Sequence, residues 1–273
     1  MIPRRLIVNA DDFGRSDSIN EAIIAAHQDG ILTSASLMMN EPACEGAVKL
    51  ARENPRLGVG IHLTLLCGHS AVSHELIPDL VNDQGEFSDR PVTTGLRYFV
   101  KRDLRDQLRR EIDAQFARFA ATGLPLDHVN GHLHLHMHPV VFQILIDNAS
   151  RHGIRRMRFT RDRFWLNIRI ASGKWWYRFL HAVVYQILST VERRRYQGSG
   201  IRHTKQVFGL MQDSRVDESF ILKLLPRLPA GDSELYSHPS LDKFKHEFDA
   251  LISPRVKQRV KELGIELIRY QDL

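Results

Sequence analysis

A chain of 273 residues with 43% hydrophobic and 26% charged residues has an ordinary globular composition, which excludes a disordered chain. Two cysteines, Cys44 and Cys67, exclude a disulfide scaffold and fit a reducing compartment, the apolar run Leu6-Ile7-Val8 is too short for a signal peptide, and no stretch approaches the roughly 18 apolar residues of a membrane span. The net charge of +6 belongs to one segment: ten Lys/Arg against Asp162 and Glu192 lie between Arg161 and Lys205, leaving 28 basic against 30 acidic residues elsewhere.

Leu6 to Val8 reads as a buried strand leading into Asp11-Asp12. Ile19, Ala22, Ile23 and Ala26 recur at helical spacing until Gly30 stops the helix. Ser34 to Met39 is a second strand, Ala43 to Arg52 a helix, and Leu57 to Leu63 a third strand. After a turn-rich stretch from about 68 to 96, Leu104, Leu108, Ile112, Phe116 and Phe119 mark a long amphipathic helix ended by Gly123 and Pro125. Asp127 to Asn130 is strand-like, and Pro139 suits the first turn of a helix reaching about Ser150. Met157 to Thr160, Leu235 to Ser237 and Ile265 to Ile268 are further strands, with helices over Glu218 to Leu225 and Pro254 to Leu263. Strands alternating with helices predict an α/β fold with mostly parallel strands. At least seven of them suit a closed or nearly closed (β/α) barrel. The expectation is one domain over 1–273 with insertions at about 68–96 and 161–205, the second basic, aromatic and helical.

In such a barrel the chemistry sits at the C-terminal ends of the strands. Those ends carry Asp11-Asp12, His62, the run His132, His134, His136, His138, and His238. A lone Asp after a strand caps the next helix more often than not. Two adjacent carboxylates repel unless a cation or a shared proton relieves them, which suggests one on a metal and its neighbour free as a base. Histidines at 128, 132, 134, 136 and 138 fall on alternate positions, so an extended chain would point them to one side. One of the run is expected to ligate a metal, with the others supporting it or facing substrate. Imidazole with carboxylate suits zinc, although one Asp with several waters admits magnesium.

The phosphate loop, the dinucleotide glycine fingerprint, the nucleophile elbow, the His-Glu-x-x-His helix and a paired Cys-x-x-Cys are all absent from the sequence. A metal-dependent phosphodiesterase would use the basic segment to hold phosphate. Such enzymes often bridge two metals with carboxylates, and the strand ends supply few acids beyond Asp11-Asp12. A nucleic-acid binder acting through 161–205 finds no recognised motif and leaves the strand-end histidines without a role, so no nucleic-acid partner is expected.

The segments Leu6 to Gly14, Gly60-Ile61-His62-Leu63, His128 to His134 and Ser237-His238-Pro239, taken in order, resemble the YdjC-like carbohydrate deacetylases, as do Leu251 to Pro254 and Gly264 to Ile268. The resemblance covers most of the chain, and the basic insertion makes it similar to the hopanoid-biosynthesis-associated branch. It implies a divergent, TIM-like (β/α) barrel, one divalent ion and hydrolysis of an N-acetyl amide on an amino sugar. The sugar is then expected on a hopanoid-type lipid, with a soluble chitooligosaccharide as the alternative substrate. Carried over by position, Asp12, His62 and His132 are the ligands and Asp11 the general base. Asn130 stands where the family usually has Asp, which puts a supporting role there in doubt. Amide hydrolysis needs a proton for the departing amine, a role suited to His238. Arg158 is expected to orient Asp11 or to stabilise the oxyanion, and with His134 and His136 to meet substrate. The resemblance further implies a homodimer, by analogy with related deacetylases. The stripe from Trp175 and Trp176 through Phe179, Leu180, Val183, Val184, Ile187, Leu188 and Val191, flanked by Arg178 and Arg193-Arg194-Arg195, suits a helix lying on an anionic membrane surface. The expected location is thus cytoplasmic, with peripheral contact at the inner membrane face.

Overall fold

The computed structural model describes residues 2–170, 175–196, 198–212 and 214–273; within 175–196 the side chains at 175, 177, 181, 191 and 193–196 are outside the description. The expectations placed on Trp175, Val191 and Arg193-Arg194-Arg195 therefore lie outside the described residues. In chain order the elements are β1 (Arg4–Phe13), α1 (Asp17–Asp29), β2 (Ser34–Leu37), α2 (Cys44–Glu53), β3 (Gly58–Leu63), α3 (Pro91–Val100) and α4 (Leu104–Ala121). Next come β4 (Val129–Gly131), α5 (Pro139–Asp147), α6 (Phe164–Ile170), α7 (Trp175–Tyr196), β5 (Gln206–Phe208) and α8 (Glu218–Leu224). The chain closes with β6 (Gly231–Ser237), α9 (Lys245–Ile252), α10 (Pro254–Glu262) and β7 (Glu266–Leu267).

Among the described residues these strands form one sheet in the order β4-β3-β2-β1-β6-β5, with β7 also on β1. All their pairings are parallel. The helical crossovers that parallel strands require cover the outer face. The sheet curls into a barrel, and the gap between β4 and β5 is bridged by two pairs of backbone hydrogen bonds to residues 155–158. Arg158 N–H donates to Val129 C=O at 2.9 Å and Met157 N–H to Arg202 C=O at 3.1 Å. The expected strand over Met157 to Thr160 is thus reduced to isolated bridges, Val129 with Met157 and Arg156 with Arg202. Its neighbours are a three-residue strand and the coil before β5, too short to offer a ladder.

Leu6, Val8 and Ala10 point outward into the main apolar core beneath the helices, while Asn9 and Asp11 point inward. The inner face is polar along much of its height. Ser34 and Ser36 come from β2, Asn130 from β4 and Glu234 from β6, all buried. Two glycines of β3 make room for that column. A Cβ on Gly58 would sit 2.7 Å from Asp127 Oδ2, and one on Gly60 2.5 Å from the His128 ring. Helix starts follow the sequence signals. Ser16 accepts from Ile19 N–H on α1, and His138 Nδ1 accepts from Val140 N–H ahead of Pro139 on α5.

The basic insertion folds as α6 and α7. Arg178, expected to flank the apolar stripe outside, is instead buried, and its Nε donates to Met211 C=O at 3.1 Å. Phe179, Leu180, Val183, Val184 and Ile187 are exposed. No helix among the described residues is long and apolar enough to cross a membrane.

Candidate active site

Consecutive residues of a regular strand face opposite sides, so Asp11 and Asp12 could not both serve one mouth. The end of β1 resolves this with a break in register. Its pairing with β2 slips between Ala10 and Phe13, and Asp12 takes φ +66°, a left-handed backbone that Asp tolerates better than most side chains. The carboxylate of Asp12 swings to meet the histidines of β3 and of the turn after β4. Its Oδ1 lies 2.9 Å from His132 Nδ1 and 3.3 Å from His62 Nε2. Asp12, His62 and His132 are buried, and their ligand atoms lie within 4.8 Å of one another.

A carboxylate with two imidazoles is the donor set that zinc and other late divalent ions take. His62 also has the outward partner that such ligands usually keep, with Nδ1 2.7 Å from Asn130 Oδ1. The three residues therefore fit a divalent ion. Burial alone would raise the Asp12 carboxyl, but His132 and His62 outweigh it and hold Asp12 well below the ordinary carboxylate value. Burial would lower His62; Asp11 and Asp12 overcome this and raise it. Arg15, for which the sequence carries no signal, reaches in from the turn between β1 and α1. Its Nη1 stands 3.1 Å from Asp12 Oδ2 and 3.4 Å from His132 Nε2.

Asp11 sits beside this trio but faces a different set of partners. Arg158 donates to both of its oxygens, at 2.7 and 2.9 Å, and Asn9 Nδ2 and Asn130 Nδ2 donate to Oδ1 at 2.8 and 3.1 Å. Burial would raise Asp11, yet the Arg158 charge prevails and holds the carboxyl far below its usual range. Arg158 is fully buried and also bonds Glu234 Oε1 through Nε at 2.8 Å, while the Tyr270 hydroxyl donates to the other Glu234 oxygen. Asn9, Glu234 and Tyr270 were not singled out from sequence. Asn9 could have been, since it lies two residues before Asp11 on the same strand face.

The histidine run does not form an extended row. Residues His132–Met137 make a tight helical turn with Leu133 and His134 in left-handed conformations, so each imidazole takes its own direction. His132 meets Asp12, His134 Nε2 lies 2.8 Å from the Tyr236 hydroxyl, and His136 Nε2 lies 3.1 Å from Arg158 C=O. His138 caps α5, and His128 lies deeper, stacked on Tyr270 at 4.2 Å. Burial, with Arg158 close behind, pushes His134 well below the ordinary imidazole value and His136 down to about 3.

A cavity of about 350 Å³ opens over the trio. Asp11, His62, His132, His134, Tyr236 and His238 line it, together with Pro91, Val92, Leu133, Tyr185 and Leu210. Arg158 and His136 are not on its surface; they lie behind it and touch Asp11 and the backbone. His238 is part-exposed at the end of β6, and its N–H donates to Glu247 Oε2 at 2.5 Å.

A family model described as YdjC-like protein matches residues 5–262. A carbohydrate deacetylase of Geobacillus stearothermophilus is 44% identical over 163 residues, 59% of this chain and 62% of that protein. One from Brevibacillus brevis is 43% identical over 150 residues, 55% of this chain and 57% of its own length. The chain therefore spans about three fifths of the length of these two relatives. A carbohydrate deacetylase of Clostridium beijerinckii is 30% identical over 276 residues, 98% of this chain and 100% of that protein. Among solved structures, one from Enterococcus faecalis V583, whose name proposes cellobiose-phosphate cleavage, superposes with a TM-score of 0.76 at 22% identity, covering 99% of this chain and 98% of that one. That likeness is one of fold.

Proposed function

The chain belongs to the YdjC-like protein family, and on that premise we propose that it is a metal-dependent carbohydrate deacetylase, hydrolysing the N-acetyl group of an amino sugar. The observation that carries this reading is the buried Asp12, His62 and His132 trio with Asp11 beside it, of which His62, His132 and Asp11 line one cavity. A divalent ion held by Asp12, His62 and His132 would polarise the acetyl carbonyl and acidify water. The chain's own groups handle the protons. Asp11, ionised and held by Arg158, takes the proton from the attacking water. His238, which also lines the cavity, delivers one to the departing amine nitrogen. Tyr236, whose phenol stays protonated because burial raises it well above the ordinary value, hydrogen-bonds neutral His134 and fixes that wall of the sugar site. In this assignment Arg158 orients Asp11 and does not contact the sugar.

The substrate we favour is an amino sugar carried by an apolar lipid, of the hopanoid type that the sequence resemblance implies. Support comes from the rim of the cavity. Val92, which lines it, is 82% exposed, and on α7, whose Tyr185 also lines it, Leu180 is 61% and Ile187 58% exposed. A second cavity, of about 840 Å³, lies between α6 and α7 among Phe164, Trp165, Phe179, Val183 and Ile187 with Arg161, Arg163 and Arg169. Contiguous exposed apolar surface of this kind marks interaction sites, and the flanking arginines suit anionic headgroups, consistent with peripheral membrane contact. Incubation of metal-loaded protein with an N-acetylglucosaminyl lipid and with soluble chitobiose, measuring released acetate, tests the reading. Release from the lipid in preference to chitobiose is expected. Release from chitobiose alone moves the assignment to soluble chitooligosaccharides, and release from neither removes the deacetylase.

A further inference from the structure

Behind the candidate ligand His62 runs a chain of buried side chains whose hydrogen-bond directions can be worked out one by one. Ser36 Oγ has three polar neighbours: Asn130 Nδ2 at 2.8 Å, Asn9 Nδ2 at 2.9 Å and His128 Nε2 at 2.9 Å. Amide nitrogens only donate, so the hydroxyl oxygen accepts from both and its one hydrogen is left for His128. His128 Nε2 is then an acceptor. Its ring hydrogen sits on Nδ1, 3.0 Å from Asp127 Oδ2, and Asp127 is itself anchored by the Gln271 N–H at 2.9 Å. At the other end, the Asn130 amide nitrogen gives its hydrogens to Ser36 and to Asp11 Oδ1 at 3.1 Å. Its carbonyl oxygen is thereby turned to His62 Nδ1, and since that oxygen only accepts, Nδ1 carries the hydrogen.

The reverse orientation of Asn130 is blocked. It would set the amide oxygen against the Asp11 carboxylate and point NH₂ at His62 Nδ1. His62 would then have to carry its hydrogen on Nε2, the nitrogen that faces Asp12. The orientation of a single amide thus decides whether His62 can offer a lone pair to an ion.

We propose that Asn130, oriented by Ser36 and through it by His128 and Asp127, is a positioning residue that selects the Nδ1–H form of His62 and so presents Nε2 to the metal. This rests on the metal-site reading above and extends it to four residues with no contact to ion or substrate. It also assigns a role to Asn130, which lies between His62 and Asp11 and bonds both. Asn supplies the acceptor that His62 needs and, unlike a carboxylate, donates to Asp11 as well. Asp127, His128, Ser36, Asn130 and His62 are all buried, so every link of the chain is shielded from bulk solvent.

The test uses zinc as the probe, with affinity measured by chelator competition and ¹⁵N-histidine spectra of the zinc-loaded chain. The native protein is expected to bind one zinc with His62 coordinated through Nε2 and hydrogen-bearing at Nδ1, and to show His128 as Nδ1–H. Asn130→Leu, which fills the space without an acceptor, should lose zinc affinity by about 10- to 100-fold. Asn130→Asp, which restores an acceptor, should bind zinc more tightly than Asn130→Leu. Ser36→Ala should weaken zinc less than Asn130→Leu and shift the His128 ring signals. Native spectra with zinc on His62 Nδ1 overturn the proposal even if Asn130→Leu fails to fold. So does Asn130→Leu binding as well as the native chain, or Asn130→Asp binding no better than Asn130→Leu. A native chain that takes up no zinc or other divalent ion overturns the metal reading and this proposal with it, an outcome distinct from failure of the variants alone.

Discussion

Arg158 grips both oxygens of Asp11, at 2.7 and 2.9 Å, while its other edge meets Glu234 at 2.7 Å. One buried guanidinium therefore serves two buried carboxylates, with the Tyr270 hydroxyl on the far oxygen of Glu234. Asp11 is held ionised and aimed from behind, leaving its neighbour Asp12 to the histidines.

That division predicts separable variants. Asp11→Asn is expected to retain one equivalent of divalent ion and lose about 10²- to 10⁴-fold in turnover, the usual contribution of a positioned base. His132→Ala should lose the ion. His238→Ala should keep it and recover part of its activity on a substrate with an activated leaving group. Metal analysis beside acetate release checks all three; loss of the ion in Asp11→Asn would exchange the roles of the two aspartates.

Arg158→Met removes one charge and leaves two buried carboxylates without a cation, at a cost of about 3–5 kcal/mol. The pH dependence carries a sign. In the native chain Asp11 is held below its unfolded value, so its stabilising contribution is full above the ordinary carboxylate range and fades as the pH falls through the folded value. Without Arg158, burial raises Asp11 instead, the folded state binds the extra proton, and the variant gains stability as pH falls. Thermal melts from pH 8 to about 5 should show the gap between the two proteins narrowing toward acid; a constant gap would remove Asp11 from the linkage.

Gly60→Ala introduces a Cβ 2.5 Å from the His128 ring and equally close to the His128 carbonyl oxygen. Both neighbours sit in the barrel interior and cannot retreat, so overpacking should cost at least about 1–3 kcal/mol in denaturant melts. Unchanged stability would mean that β3 and β4 separate more easily than their ladder implies.

Replacing Leu180 and Ile187 on α7 by Ser alters exposed positions. Folding stability should move by no more than about 0.5 kcal/mol per site, while sedimentation with vesicles containing anionic lipid should fall. Recovery of the native chain in the supernatant at both low and high salt would contradict membrane contact. A large drop in stability would instead assign the stripe to packing.

The alternation of strands and helices, the helix stop at Gly30 and start at Pro139, and the residues at the strand ends were legible because each depends on local pattern. Asp12, His62 and His132 could be named from sequence, yet the conformation that gathers them could not. The left-handed backbone at Asp12 and at Leu133-His134 breaks the two-residue period on which an extended histidine row was expected. β5 escaped notice because three residues between Lys205 and Gly209 show no period at all. Ser36 and Glu234 carried no signal either, since their roles arise from partners on other strands.

The pairing of β1 with β6 and β7 joins Asn9 to Tyr236 and Arg5 to Glu266, partners near opposite ends of the sequence. On a ribosome the barrel is therefore built in a fixed order. The strands β1 to β4 and the turn after β4, bearing Asp12, His62 and His132, emerge first and can pair among themselves while the other edge of β1 stands open. Arg158, Glu234 and His238 arrive later, and Tyr270 later still. A nascent chain can thus gather every candidate ligand before it holds Arg158 and Glu234 behind Asp11 or His238 at the cavity, so assembly of the candidate metal site and completion of the proposed catalytic set are separated in time. The same interval leaves an unpaired central strand exposed, the period when such a chain is most open to misassociation.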